Sequence, residues 1–354
     1  MINYFESAKI KFEQLKQKKD LIVLGIETSC DETSVSVVKN GRELLSNIIA
    51  TQIEIHNQFG GVVPEVASRN HILMIDKVFK KALETAKISL GDIDAVAVTY
   101  GAGLVGALLV GVNFAKSLAY ALNVPCVAVS HVEGHIFANF LTHKNLKPPF
   151  ICLMVSGGHT AILKMKNYTE YKLLGSTADD AAGEAFDKVA RVLGLPYPGG
   201  LYIDNLAKSG KANIEFTKNK AFKDGLDFSF SGIKTAVINY INNKKMKNEP
   251  IIKEDVCASF QKYVVEDLSD KAMKACKFEA IKKLVVAGGV GANSQLQCNL
   301  KELCKQNDIS LFVPDLKLCT DNAGMIASNG YYKILAGENL ANLNLTAKPT
   351  VSLK

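Results

Sequence analysis

Two histidines lie one helical turn apart in Ser130-His131-Val132-Glu133-Gly134-His135. On a helix, residues four apart face the same side. Two neutral imidazoles so placed can share a divalent ion, with further nitrogen or carboxylate donors from elsewhere. The spacing is not that of a metalloprotease helix, H-E-x-x-H, whose base glutamate directly follows the first histidine. Here Glu133 comes two residues after His131, so its side chain is rotated away from that face. Glu133 is read either as an orienting partner of a ligating histidine or as an exposed helix glutamate.

The elements that must position this pair show in the hydrophobic pattern. The pair follows an apolar run, Val124–Val129. An earlier strand at Leu21–Gly25 leads through the polar turn Glu27–Thr33 into a second strand at Ser34–Val38. The same unit returns about 128 residues later, with strands at Phe150–Val155 and Ala161–Met165 around Ser156-Gly157-Gly158-His159-Thr160. A third apolar strand, Lys283–Ala287, runs into Gly288-Gly289-Val290-Gly291-Ala292-Asn293. Helical periodicity fills Asn70–Ala86, Gly106–Leu122 and Glu254–Lys277. Strands alternating with helices give an α/β fold, and the repeated unit suggests duplication.

Glycine turns follow strands at Thr99–Gly103, Ser156–Gly158 and Gly288–Gly289, where backbone N–H groups can approach a phosphate or sugar. None fits a P-loop, and none opens a helix as G-x-G-x-x-G after the first strand. Duplicated units with glycine turns are similar to the actin, Hsp70 and sugar-kinase (ASKHA) architecture. That likeness implies two lobes with nucleotide and metal in the interlobe cleft.

The 354 residues are 48% hydrophobic and 22% charged, as in ordinary globular proteins with ample core. No apolar run reaches the ~18–20 residues that span a bilayer, and the N-terminus lacks the pattern of a signal peptide. The expectation is a cytoplasmic chain with no membrane partner. Eight scattered cysteines without a C-x-x-C pair read as reduced structural thiols. The net charge of +7 permits attraction to RNA, and a lysine-rich composition explains it equally well. Residues 1–20 stand apart: Phe5, Ala8, Phe12 and Leu15 fit a short amphipathic helix, with a charged tail as the alternative. Residues 241–253 read as a polar, lysine-rich loop.

Eight motifs in order resemble one family. They are Ile26-Glu27-Thr28-Ser29-Cys30-Asp31-Glu32-Thr33, Gly60–Arg69, the His131–His135 segment, Val155–Thr160, Asp179–Lys188, Tyr197–Gly200, Phe228–Thr235 and Asp321–Ala327. Together they resemble the tRNA threonylcarbamoyl transferases called TsaD in bacteria, over about residues 21–331. The resemblance implies transfer of a threonylcarbamoyl group from threonylcarbamoyl-adenylate to N6 of adenosine 37 in tRNAs reading ANN codons. It implies His131, His135 and Asp321 as ligands of one divalent ion, with iron favoured and zinc or manganese possible by donor set. Asp321 lies far along the chain, so a shared ion is expected to tie the two lobes together. The resemblance further implies Met154, Val155, Ser156, Gly157, Gly158, Asp187, Gly200, Asp204 and Asn293 as adenylate contacts. Partners implied are tRNA, a TsaB-like paralogue and a TsaE-like ATPase.

Asp31 is the candidate general base, with a turn-capping aspartate as the alternative. His159 is read as turn-stabilising or donor-contacting, with pointing at the metal as the alternative, and Lys188 and Lys234 as phosphate contacts or solvated lysines. Ala102 stands where the family has proline, and Ser294 where it often has a basic residue. The expected domains are an extension at 1–20, an N-terminal lobe at 21–148 completed by a helix near 322–336, a C-terminal lobe at 149–321 and a tail at 337–354. A metal-dependent endopeptidase, a label this family once carried, and a non-catalytic nucleotide-binding scaffold are the competing readings.

Overall fold

The apolar run after Leu21 becomes a strand whose alternate side chains enter two different cores. Leu24 and Ile26 face one, Leu21 and Val23 the other, so both sides of the strand are covered. The computed structural model describes residues 3–216 and 225–353. These form two compact units: the first ends at Leu146 and resumes over Pro314–Leu353, and the second is Lys147–Val313.

Unit one begins with α1 (Tyr4–Leu15), β1 (Ile22–Glu27), β2 (Glu32–Lys39), β3 (Glu43–Thr51), α2 (Ile53–Asn57) and α3 (Pro64–Ala86). It continues with β4 (Ala95–Gly101), α4 (Val105–Leu122), β5 (Cys126–Ser130) and α5 (His131–Thr142). Unit two holds β6 (Phe150–Val155), β7 (Thr160–Met165), β8 (Tyr171–Ser176), α6 (Ala182–Val192), α7 (Gly199–Ala207) and α8 (Ser231–Met246). It ends with α9 (Lys253–Phe278), β9 (Lys283–Ala287), α10 (Ser294–Gln306) and β10 (Ser310–Phe312). The chain returns to unit one with α11 (Leu316–Cys319), α12 (Ala323–Ala336) and β11 (Leu340–Ala341).

The first sheet has the order β11-β5-β4-β1-β2-β3 and the second β10-β9-β6-β7-β8. In each, three consecutive strands form an antiparallel meander, and two later strands extend its first strand in parallel. The repeated strand–turn–strand pattern in the sequence is thus a repeated topology. The break back into unit one falls at Pro314, because the segment that follows is held by α5: Asp315 N–H donates to Thr142 Oγ1 at 3.0 Å.

Residues 4–15 are a helix, not a frayed tail. Asn3 and Glu6 make a reciprocal capping box, and Ala8, Phe12 and Leu15 are buried. Phe5 is exposed. The reading of 241–253 as a loop is corrected at its start. Helix α8 runs to Met246, because Ile241 is fully buried in the core of unit two and anchors the last turns. One helix among the described residues, α4, has the length and apolarity of a membrane span, with mean hydropathy 1.5. Its Ala107, Leu108, Gly111, Val112, Ala115 and Ala119 are buried, and Val112, Ala115 and Ala119 join the core that α3 and the first sheet share.

Candidate functional site

Parallel strands β1, β4 and β5 end side by side, and the residues at their carboxyl ends make the first part of the site. Helix α5 starts directly after β5, so its first residue, His131, sits at that edge, with His135 one turn on. The rings lie 4.7 Å apart between centroids at 79°. Both Nε2 atoms are 3.4 Å from Asp321 Oδ1. One donor atom from each of the three residues lies within 4.8 Å of the others.

Asp321 reaches the histidines because α12 packs closely on α5. Gly134 makes this possible: a Cβ there would lie 2.8 Å from Ile326 Cδ1 of α12. Asn322 then fixes the turn. Its Oδ1 caps α12 by accepting from Met325 N–H at 3.0 Å, and its Nδ2 donates to Thr320 O at 2.8 Å. His131, His135 and Asp321 therefore all belong to unit one. The expectation that their ion would tie two lobes together is corrected: it would join α5 to the start of α12 within one unit.

The surroundings suit a cation. Burial raises the Asp321 carboxyl to about 6; the His131 charge opposes that rise, and the charges of Glu27 and Asp31 add to it. Burial also pushes Glu32 well above the usual carboxylate range, and Asp321 and Asp31 push it further. For His131, burial disfavours the imidazolium, but Asp321 and Glu27 outweigh it and raise its pKa to about 9. Crowded carboxylates beside two imidazoles are the donor set a divalent ion relieves. Asp31 is 4% exposed, and its Oδ2 has no hydrogen-bond partner.

Glu133 is not an exposed helix glutamate. Its carboxylate pairs with the buried Lys333 of α12 at 3.3 Å. Two other residues at this edge carry no metal-motif signal. Glu27 contacts His131 Nδ1 at 3.0 Å. His71 of α3 holds the Glu27–Thr33 turn, bonding Thr33 Oγ1 at 2.8 Å and the Cys30 carbonyl at 2.9 Å.

The adenylate candidates all fall in unit two. Met154 and Val155 end β6 with fully buried side chains, so only their backbone is available to a ligand. The turn that follows is closed by Ser156 N–H to His159 O at 2.8 Å and by His159 N–H to Ser156 Oγ at 3.2 Å. Gly157 and Gly158 are exposed, with nothing within 4 Å of where a Cβ would stand. The turn after β9 presses against this one: Gly288 has φ +92°, and a Cβ there would lie 2.4 Å from Val155 O.

Asp187 accepts from Gly199 N–H at 2.7 Å and so pins the start of α7, beside Gly200. Asp204 and Asn293 meet through Gln261 of α9, which donates to Asp204 Oδ1 at 3.1 Å and accepts from Asn293 Nδ2 at 2.8 Å. Gln261 lies outside every motif, and only its complete burial in a polar network marks it. Ser294 donates to Asp204 through both Oγ, at 2.9 Å, and N, at 3.2 Å. Lys188 pairs with Glu184 at 2.6 Å and Lys234 with Asp180, so neither is a simply solvated lysine.

A family model described as TsaD, tRNA N6-adenosine threonylcarbamoyltransferase, matches residues 43–328. The tRNA N6-adenosine threonylcarbamoyltransferase of Clostridioides difficile (strain 630) is 56% identical over 335 residues, 94% of this chain and 99% of the relative. That of Clostridium novyi (strain NT) is 58% identical over 337 residues, 95% of this chain and 98% of the relative. Among solved structures, HypF of T. kodakarensis overlays with a TM-score of 0.60 at 13% identity, over 90% of this chain and 48% of that one. Full-length HypF in the phosphate- and nucleotide-bound form gives 0.57 at 15%, over 90% and 47%. These likenesses concern the fold, which is of the actin, Hsp70 and sugar-kinase type. On the family match and these relatives together, the chain belongs to the TsaD family of tRNA N6-adenosine threonylcarbamoyltransferases.

Proposed function

We propose that the chain transfers the threonylcarbamoyl group of threonylcarbamoyl-adenylate to N6 of adenosine 37 in tRNAs reading ANN codons, releasing AMP. One observation carries the reading: in a chain of this family, His131, His135 and Asp321 bring donor atoms within 4.8 Å of one another. A divalent ion held by these three supplies a Lewis acid for the carbamoyl carbonyl. Two nitrogens and one oxygen suit iron, zinc or manganese, and the resemblance favours iron.

The protein's own groups bind and orient. Backbone N–H groups of Gly157 and Gly158 face the donor phosphate. Met154, Val155, Asp187, Gly200, Asp204 and Asn293 frame the adenylate. N6 bonds to the carbamoyl carbon, the bond from that carbon to the phosphate oxygen breaks, and AMP leaves with the electron pair. Asp31 takes the N6 proton. Its buried Oδ2 without a hydrogen-bond partner supports this role over that of a turn cap. The adenine amine is a weak nucleophile, so positioning supplies much of the rate.

Two partners complete the proposal, a TsaB-like paralogue and a TsaE-like ATPase. The feature that favours a protein partner lies on α3 and α4, where the exposed Ile72 lines a groove of about 540 Å³ together with Ile75, Leu109, Val110 and Phe114. The endopeptidase reading lacks its base, because Glu133 is paired with Lys333.

The test supplies purified chain with threonylcarbamoyl-adenylate, unmodified tRNA, a divalent metal and both partners. Threonylcarbamoyl-adenosine at position 37 and stoichiometric AMP are expected. Unmodified tRNA under these conditions would overturn the proposal.

A further inference from the structure

Glu27 is a fully buried carboxylate at the end of β1, and three groups converge on it. Ser29 N–H donates to Oε1 at 2.6 Å, Thr99 Oγ1 donates to Oε2 at 2.6 Å, and His131 Nδ1 lies 3.0 Å from Oε2. Their positions follow from the sheet. Glu27, Thr99 and His131 stand at the ends of the adjacent parallel strands β1, β4 and β5. Both Glu27 oxygens therefore act as acceptors, Oε1 from a backbone N–H and Oε2 from a hydroxyl. Ser29 Oγ also lies 3.0 Å from His131 Nδ1.

Each carboxylate oxygen has two acceptor lone pairs, and Oε2 uses one on Thr99 Oγ1 and presents the other to His131. The His131 nitrogen facing it therefore carries hydrogen, which Ser29 Oγ can accept as well, and this leaves the other nitrogen, Nε2, as the one with a lone pair when the ring is neutral. Nε2 is the atom 3.4 Å from Asp321 Oδ1. We infer that Glu27 is a positioning residue for metal binding: it fixes His131 as the Nδ1–H tautomer and aims Nε2 at the site shared with His135 and Asp321. The inference rests on the reading of those three residues as metal ligands.

Glutamine cannot replace this carboxylate. Both oxygens of Glu27 accept, one from Ser29 and the other from Thr99 and His131. A glutamine NH₂ placed on the Ser29 side meets an N–H donor. Placed on the His131 side, it selects the tautomer with hydrogen on Nε2, which cannot ligate through that atom.

The experiment uses the full chain and zinc as a diamagnetic probe. Affinity is measured by competition with a chelating dye, and tautomer by long-range ¹H–¹⁵N spectra of histidine-labelled, zinc-loaded protein. Wild type should show His131 protonated at Nδ1 and zinc-bound at Nε2. Glu27→Gln should bind zinc about 10- to 100-fold more weakly, the range typical for losing a partner that orients a ligand. Thr99→Val takes a hydrogen bond from the same carboxylate but leaves its contact with His131, so it should lose stability and keep zinc affinity.

Three results would overturn the inference alone: zinc on His131 Nδ1 in wild type, unchanged affinity in Glu27→Gln, or equal weakening in Thr99→Val. The first needs no variant to fold. Failure of wild type to bind zinc, or undiminished binding in His131→Ala, overturns the ligand reading and the inference with it.

Discussion

His131 serves two partners at once, Glu27 through Nδ1 and Asp321 through Nε2. His131→Ala should therefore lose metal affinity by more than the ~10- to 100-fold that accompanies loss of an orienting partner alone. Most transfer activity should go with it. The same change removes one of the groups facing buried Glu27, and breaking a buried pair can cost ~3–5 kcal/mol. Elemental analysis beside circular dichroism separates lost metal from lost fold. Asn293 also has two jobs, because its Oδ1 caps α10 by accepting from Leu296 N–H at 2.9 Å. Asn293→Ala should lower stability by ~1 kcal/mol in urea titration, whatever it does to adenylate binding. At this scale the sequence exposes residue types and spacing. It does not expose Glu27, Lys333 or Gln261 as partners, because each meets its partner far along the chain, where no local periodicity reports on it.

At the scale of elements, strands and long helices follow from hydrophobic period, and ends follow from caps and buried anchors. That is why 241–253 misleads. The lysines and asparagines hide one buried isoleucine, Ile241, which keeps α8 helical to Met246. The other end of α8 is tied by Asp179. Its carboxylate accepts from Ser229 Oγ at 2.6 Å, Phe230 N–H at 2.8 Å, and Ser231 N–H and Oγ at 3.2 and 2.6 Å. Partial burial favours the neutral acid, but these bonds outweigh it and hold Asp179 below its ordinary value of 3.8. A depressed folded-state pKa adds stability that is fully present above the unfolded value, ~3.9, and is lost as pH falls through the folded one. Stability measured by urea midpoint from about pH 6 downward should fall on its acid limb. Asp179→Asn should start lower near neutrality and flatten that limb. Identical acid limbs in the two proteins would contradict the assignment.

At the scale of the whole molecule, the duplicated topology is legible as two strand–turn–strand units, but the return of the chain is not. Asp321 belongs to unit one because α11 and α12 pack against α5, a fact held in tertiary packing of residues nearly two hundred positions apart. The N-terminal helix is likewise part of unit one. Phe12 and Leu15 are buried in the core that includes Met325 and Ile334 of α12, and the Tyr4 hydroxyl donates to Val124 O at 2.9 Å. Its lysines are partly spent on the protein itself: Lys11 donates to Asn123 O at 2.6 Å, Lys16 pairs with Glu13 at 2.6 Å, and Lys18 pairs with Asp94. Removing residues 1–17 should therefore destabilise the chain. Burial of one Phe or Leu side chain is worth ~1.5–3 kcal/mol, so thermal unfolding should shift clearly downward. Effects on tRNA binding should be smaller. Each lysine that no longer neutralises an RNA phosphate changes the log–log salt slope by roughly 0.7–0.9, and of the three lysines removed by the cut, Lys9, Lys11 and Lys16, Lys11 is already bonded to Asn123 O. The slope should flatten by less than about 2 between ~50 and ~200 mM salt. An unchanged melting temperature combined with a much flatter slope would make the extension an RNA-binding arm in place of a packed helix.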